Sequence, residues 1–248
     1  MLWASGYGMG RLDGHRAAYE PRVEIQDDSR LLLQGSVGVQ TVSKLDGGST
    51  GLYYDWAALV GVFTPEARRV VMLGLGGGEM LRVLKRTVPK AALSAVEIDD
   101  RVIVTALRDF PENVESVTVI EADAARWVAK GCGQRVAQSP GISGPLFDAI
   151  IVDVYDGPEM PEHFTESTFY SQLHRCLTPR GMVIVNARDR ELAKVLASAL
   201  HLAGFGDVVA FPVLGTPSVI LWAVRKDDWG QVSFPDELVK GMQHRWKL

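Results

Sequence analysis

Val70-Val71-Met72-Leu73-Gly74-Leu75-Gly76-Gly77-Gly78-Glu79 passes from an apolar strand pattern into glycines and then into a helical pattern. It reads as the first strand, turn and helix of a nucleotide-binding α/β unit. Glycine reaches positive φ without a Cβ penalty and lets backbone approach a ligand closely. A new helix adds unpaired N–H groups and the positive end of its dipole. A dinucleotide fingerprint needs G-x-G-x-x-G, its third glycine allowing close helix packing, and here that third position is Glu79. The register is G-x-G-x-G instead. Glu97 ends a second apolar segment, Leu93 to Val96, roughly 20 residues on, where an acid accepts ribose hydroxyls. A glycine-rich turn beside an acid also occurs as a plain tight connection. The recurrence of related features along the chain argues for a ligand.

The 248 residues, with 47% apolar and 23% charged side chains, suffice for one sizeable α/β core with a small appendage. A net charge of −4 gives no basic footprint, so nucleic acid is not an expected partner. Cys132 and Cys176 have neither C-x-x-C nor Cys/His metal spacing and read as free thiols in a reducing compartment. No stretch approaches the ~20 apolar residues of a membrane span, and the amino terminus lacks the layout of a secretory signal. A soluble, cytoplasmic protein without membrane partners is expected. His15, His163, His174, His201 and His244 are scattered, so no metal site is expected. Trp56, Trp127 and Trp222 lie in apolar contexts and read as core.

Residues 21–45 alternate short β-prone runs with turn residues, which predicts a small antiparallel meander within an N-terminal region, 1–50. Leu52 to Phe63 carries helical spacing and is closed by Thr64-Pro65. The larger unit, 51–248, alternates strands near 70–74, 92–97, 116–121, 147–153 and 181–187 with helices near 79–87, 99–109, 123–130, 165–176 and 189–204. That alternation implies an α/β fold with a mainly parallel sheet covered on both faces. Val208 to Phe211 and Ser218 to Val224, split by Pro212 and Gly215-Thr216-Pro217, form a closing antiparallel hairpin. This outline is that of a Rossmann-like methyltransferase fold. Residues 131–145 read as a surface loop, and the tail from Lys226 as a closing helix or a dimer contact.

Ligands of open α/β sheets collect at the carboxyl ends of the strands, so acids there are the first candidates. Glu97, Asp123, Asp153 and Asp156 qualify. Asp123 can accept from an adenine amino group while also capping the helix that follows. Asp153 opens Val154-Tyr155-Asp156-Gly157-Pro158-Glu159-Met160-Pro161, a loop stiffened by two prolines that can serve as a lid. A carboxylate at its root can take a proton from an amine or hydroxyl nucleophile, or merely satisfy backbone N–H groups of the turn.

With these residues in view, the chain from roughly 30 to 225 resembles the spermidine synthases, the polyamine aminopropyltransferases. The resemblance rests on Tyr53-Tyr54-Asp55, on Gly74 to Glu79, on Val96-Glu97-Ile98-Asp99, on Asp123-Ala124 and on Asp153 to Pro158. It implies that Gly74, Gly76 and Gly78 cradle an S-adenosyl cofactor. Glu97 with Ile98 beside it would hold the ribose, and Asp123 and Ala124 the adenine. Asp153 would be the catalytic base, and Gln40 loosely matches a family glutamine near the nucleoside. Two positions depart from the pattern. The family's turn aspartate falls on Gly77 and its histidine on Tyr54.

Loss of a carboxylate facing an ammonium removes a charge-assisted contact of about 1.5–3 kcal/mol. The turn therefore favours S-adenosylmethionine over its decarboxylated form, since a helix start tolerates a carboxylate better. The expected activity is methyl transfer to an amine or hydroxyl of a small molecule. Asp153 would take the proton, and Tyr54, Tyr155 and Asp156 would shape the acceptor pocket. The alternative is aminopropyl transfer from decarboxylated S-adenosylmethionine, with Asp55, Glu79 or Asp156 replacing the lost acid. A nucleoside-binding module without catalysis is a further alternative; the glycine register disfavours an NAD enzyme. The resemblance also implies a homodimer or higher oligomer.

Overall fold

The computed structural model describes residues 20–34, 38–132, 146–206 and 208–225. The tail, most of the 131–145 loop, His15 and His244 lie outside them. Among the described residues, ten strands form two sheets and seven α-helices accompany them. β1 (Pro21–Gln26), β2 (Ser29–Gln34) and β3 (Val39–Lys44) make the expected antiparallel meander, with a bulge between Leu32 and Leu33.

β4 (Arg69–Leu73), β5 (Ala92–Glu97), β6 (Thr118–Glu121), β7 (Phe147–Val152), β8 (Leu177–Ala187), β9 (Val209–Pro212) and β10 (Val219–Val224) make the large sheet, ordered β6-β5-β4-β7-β8-β10-β9. All pairs are parallel except those of β10, which runs antiparallel to β8 and β9. The fold is thus α/β, with the closing hairpin where the sequence places it. From β4 the chain steps outward through β5 and β6 and then returns to β7 on the other side. This reversal opens a crevice at the carboxyl ends of β4 and β7.

The inner strands are continuously apolar because both faces are covered. Val71, Leu73, Ile150, Val152, Val183 and Val185 face one layer, while Val70, Met72, Ile151 and Ile184 face the other. The helices are α1 (Leu59–Phe63), α2 (Glu79–Thr87), α3 (Asp100–Asp109), α4 (Pro111–Val114), α5 (Ala124–Ala129), α6 (Ser167–Cys176) and α7 (Arg190–Leu202). Aspartates start three of them: Asp99, Asp123 and Asp189 accept from Arg101 N, Arg126 N and Leu192 N. Trp222 is fully buried, while Trp56 and Trp127 pack partly buried against Phe211 and Phe147.

Two expectations change. The helix read over 52–63 is a 3₁₀ segment, Tyr53–Ala58, followed by only five α-helical residues. Asp55, which a regular helix would leave on its surface, folds back to accept from Ser49 Oγ and from Thr50 and Gly51 N–H, tightening the first turns. Cys132 and Cys176 are not free thiols but form a disulfide, with Cα atoms 6.1 Å apart, that joins the chain after α5 to the end of α6. The pairing withdraws the thiol argument for a reducing compartment. No helix of the described residues is long and apolar enough to cross a membrane.

Candidate functional site

A cavity of about 860 Å³ occupies the crevice, walled on one side by β2 and β3 and on the other by the carboxyl ends of β4, β5 and β7. Gly74 leaves β4 at φ +89°; a Cβ there would stand 2.1 Å from the Asp153 carbonyl oxygen, so only glycine fits. Gly76, at φ +52°, lies beneath Thr41 Oγ1. Both line the cavity. Gly78 does not: it starts α2 at φ +73°, and a Cβ there would meet Val114 at 2.8 Å and Asn113 at 3.2 Å, so it allows α2 to pack closely onto α4.

The turn offers fewer N–H groups to an anion than its sequence suggests. Gly74 N–H goes to Val96 O, Leu75 N–H to Glu97 Oε2 at 2.9 Å, Gly77 N–H to Thr41 Oγ1 at 2.8 Å and Gly78 N–H to Leu75 O. Gly77 cannot present a larger residue to the cavity either, because a Cβ there would meet Thr41 Cγ2 at 2.9 Å and Phe110 at 3.3 Å.

Glu97 ends β5 with its carboxylate gripped by backbone: Oε2 by Leu75 N, Oε1 by Ile98 N at 2.9 Å and Asp99 N at 3.0 Å. Burial raises its pKa above the usual carboxylate value, and these donors offset only part of the rise. Glu97 lines the cavity, with the exposed Ile98 beside it. Asp123 and Ala124 line the same space, and Asp123 spends Oδ1 on capping α5, so capping and ligand contact are compatible.

Asp153 follows β7. Its N–H donates to Leu73 O at 2.9 Å, which fixes it against the glycine turn. Asn186 Nδ2 donates to Asp153 Oδ1 at 2.9 Å, and Tyr53 hydrogen-bonds the same carboxyl. Burial, with a smaller push from the Glu97 charge, raises the Asp153 pKa to about 6 against these two bonds. Tyr54 lies in the cavity wall with its hydroxyl donating to Gln40 O, while Gln40 itself lines the cavity. Tyr54 is therefore a wall residue, and its neighbour Tyr53 reaches the acid. Tyr155 donates to Asn186 O at 2.8 Å and accepts from Arg188 N at 3.0 Å. Asp156 bridges Glu159 through backbone and exposes its side chain at the cavity rim.

Two of the three acids proposed to replace the turn carboxylate are occupied. Asp55 is held in the 49–51 loop and does not line the cavity. Glu79, 1% exposed, is paired with Arg82 and accepts from Ser43 Oγ at 2.7 Å and Asn113 Nδ2 at 3.3 Å. Asp156 remains. Sequence reading missed Thr41, Asn186 and Arg188 as site residues, since only strand register brings them here. Among the described residues no three His, Cys, Asp or Glu side chains are grouped as a metal site.

A crevice at a sheet reversal, lined by two strand-end acids and a glycine turn, is where open α/β folds collect their ligands, and the sheet is that of a methyltransferase-like fold. Residues 55–214 match the spermine/spermidine synthase domain, and the chain belongs to that family. A polyamine aminopropyltransferase of Chromobacterium violaceum is 27% identical over 83% of this chain and 82% of its own length. A probable polyamine aminopropyl transferase of Bifidobacterium longum is 31% identical over 63% of this chain, which spans only 33% of that relative. Among solved structures, human methyltransferase-like protein 13 in complex with SAH superposes with a TM-score of 0.59 at 26% identity, covering 76% of this chain and 86% of that one.

Proposed function

We propose that this chain transfers a carbon from an S-adenosyl sulfonium to a small-molecule amine or hydroxyl. One observation carries the reading: Asp153, half-buried in the cavity wall with a pKa near 6, stands beside the glycine turn in the same space as Glu97 and Asp123. Glu97 takes the ribose hydroxyls and Asp123 the adenine amino group. The sulfonium carbon then lies between the turn and Asp153. The nucleophile attacks that carbon as the C–S bond breaks, sulfur keeps the electron pair as a neutral thioether, and the released proton goes to Asp153. Near pH 7 the acid is ionised yet basic enough to accept it. Much of the rate would come from holding the two reactants in line.

The family and the curated relatives favour aminopropyl as the group moved, from decarboxylated S-adenosylmethionine to an amine. Methyl transfer is a second reading, because S-adenosylmethionine carries its ammonium beside its own carboxylate and so has less need of a protein acid. Position 77 is closed by Thr41 and Phe110, Glu79 is neutralised by Arg82, and Asp156 is the only replacement acid left for the donor's ammonium. Calorimetric titration with S-adenosylmethionine, its decarboxylated form, S-adenosylhomocysteine, methylthioadenosine and NAD at fixed salt and pH separates the two. Preference for the decarboxylated donor supports aminopropyl transfer, and preference for the carboxylate-bearing sulfonium supports methyl transfer. Absence of nucleoside binding overturns both.

A further inference from the structure

We infer that Asn186 is a positioning residue for Asp153: its amide occupies Oδ1 and holds the carboxyl in its charged form, leaving the rest of that group to Tyr53 and the incoming nucleophile. The inference deepens the proposed function and rests on the reading of Asp153 as the proton acceptor. Its basis is geometric. β7 and β8 pair in parallel with Val152 opposite Val185, so the next residues, Asp153 and Asn186, stand side by side at the two carboxyl ends. The Nδ2–Oδ1 contact is 2.9 Å. An ionised carboxylate only accepts, so the amide must turn its nitrogen toward Asp153.

That orientation leaves Asn186 Oδ1 buried with no hydrogen-bond partner among the described residues. Asn186 is 5% exposed, lies at the cavity wall beside Asp153, and pairs with Ile220 across the sheet. A buried amide with an unmet acceptor destabilises the fold relative to an apolar residue, so the fold gives no reason for asparagine here. Asp153 gives one. Burial disfavours its charge, and the amide N–H opposes that effect.

The experiment follows Asp153 itself rather than turnover. In protein labelled with ¹³C at aspartate carboxyls, with the Asp153 signal assigned by loss in Asp153→Asn, its titration midpoint is measured in the parent and in Asn186→Val, Asn186→Ala and Asn186→Gln. The expected result is a midpoint raised by about one unit or more in the valine and alanine variants and restored by glutamine. Melting temperature at pH 5, where Asp153 carries its proton in every variant, is expected to be no lower for valine than for the parent. An unchanged midpoint in whichever of the valine and alanine variants folds overturns the inference, with or without a loss of stability. A raised midpoint in a protein that turns over no donor sustains the role of Asn186 and removes the transferase reading.

Discussion

Glu97 and Asp153 are both strand-end acids on one cavity, yet they are held in opposite ways. Glu97 sits among three backbone N–H donors within two residues of itself or on the adjoining glycine turn. Asp153 depends on side chains, Asn186 and Tyr53, that are 33 and 100 residues away in sequence. Backbone donors are fixed once the strand and turn form, and they suit a site that grips a constant group such as a nucleoside. Side-chain donors can be exchanged one at a time, and they would suit the end of the cavity where the proposed chemistry and acceptor choice are set.

The largest expected effects test the two anchors directly. Gly74→Ala forces a Cβ into the Asp153 carbonyl at a positive φ, and a loss of about 4 kcal/mol in urea unfolding is expected. Gly215→Ala is the control. Its φ is also positive, at +76°, but nothing lies within 4 Å, so the cost should be about 1 kcal/mol. Equal losses at the two sites would show that conformation alone, and not contact between turn and acid, binds the donor end to the acceptor end.

Asp153→Asn should lower kcat by about 10²–10⁴-fold while leaving donor Kd within about threefold. Its stability should move the other way. The folded-state pKa, about 6, lies above the ordinary 3.8, so the folded protein holds this proton more tightly than the unfolded chain does. The resulting stability is fully present below pH 3.8 and lost as pH rises through about 6. Asp153→Asn, with no charge to bury, should therefore melt higher than the parent at pH 7.5, with the advantage shrinking toward pH 4. Activity limited by the ionised acid should rise over the same interval. A variant that melts lower at pH 7.5 would mean that the carboxylate is a structural support rather than a strained reagent.

Glu97→Gln tests the other acid. The amide keeps one oxygen but cannot satisfy backbone donors on both sides, so donor affinity should fall about tenfold to a hundredfold. At saturating donor, kcat should change little. A fall in kcat instead of affinity, measured by calorimetry beside turnover, would break the division between a binding acid and a reacting acid.

What could be read in advance follows the same division. The glycine turn, Glu97 and Asp123 are local signals, each an apolar run broken by a residue of special geometry or charge. The parallel sheet and its closing hairpin follow from period and punctuation in the same way. Asn186 carried no local signal, because its value comes from standing opposite Asp153 in the β7–β8 register. Tyr53 and Tyr54 were read as a pair, but the 3₁₀ turn that decides which hydroxyl reaches the acid is set by Asp55 folding back. The cysteines misled for a similar reason. A separation of 44 residues says nothing of proximity until α5 and α6 pack side by side.

The smallest expected effect lies at the rim of the acceptor end. Arg188 ties the loop after Asp153 to the start of α7: its Nη1 donates to Pro158 O and stands 2.8 Å from Glu159, and its Nε contacts Asp189 at 3.1 Å. All three side chains are well exposed, so the ion pairs should contribute under about 1 kcal/mol to stability. The loop that they tether carries Tyr155 and Asp156 into the cavity wall, so loosening it should be felt by the acceptor. Arg188→Ala should raise acceptor KM about threefold to tenfold, with donor Kd and melting temperature nearly unchanged. Tyr155→Phe removes the hydroxyl that bridges Asn186 O and Arg188 N, and should move acceptor KM in the same direction. If either change weakened donor binding as much as acceptor binding, the two ends of the cavity would be one mechanical unit, and the contrast between backbone-held and side-chain-held acids would describe their local bonding without dividing their labour.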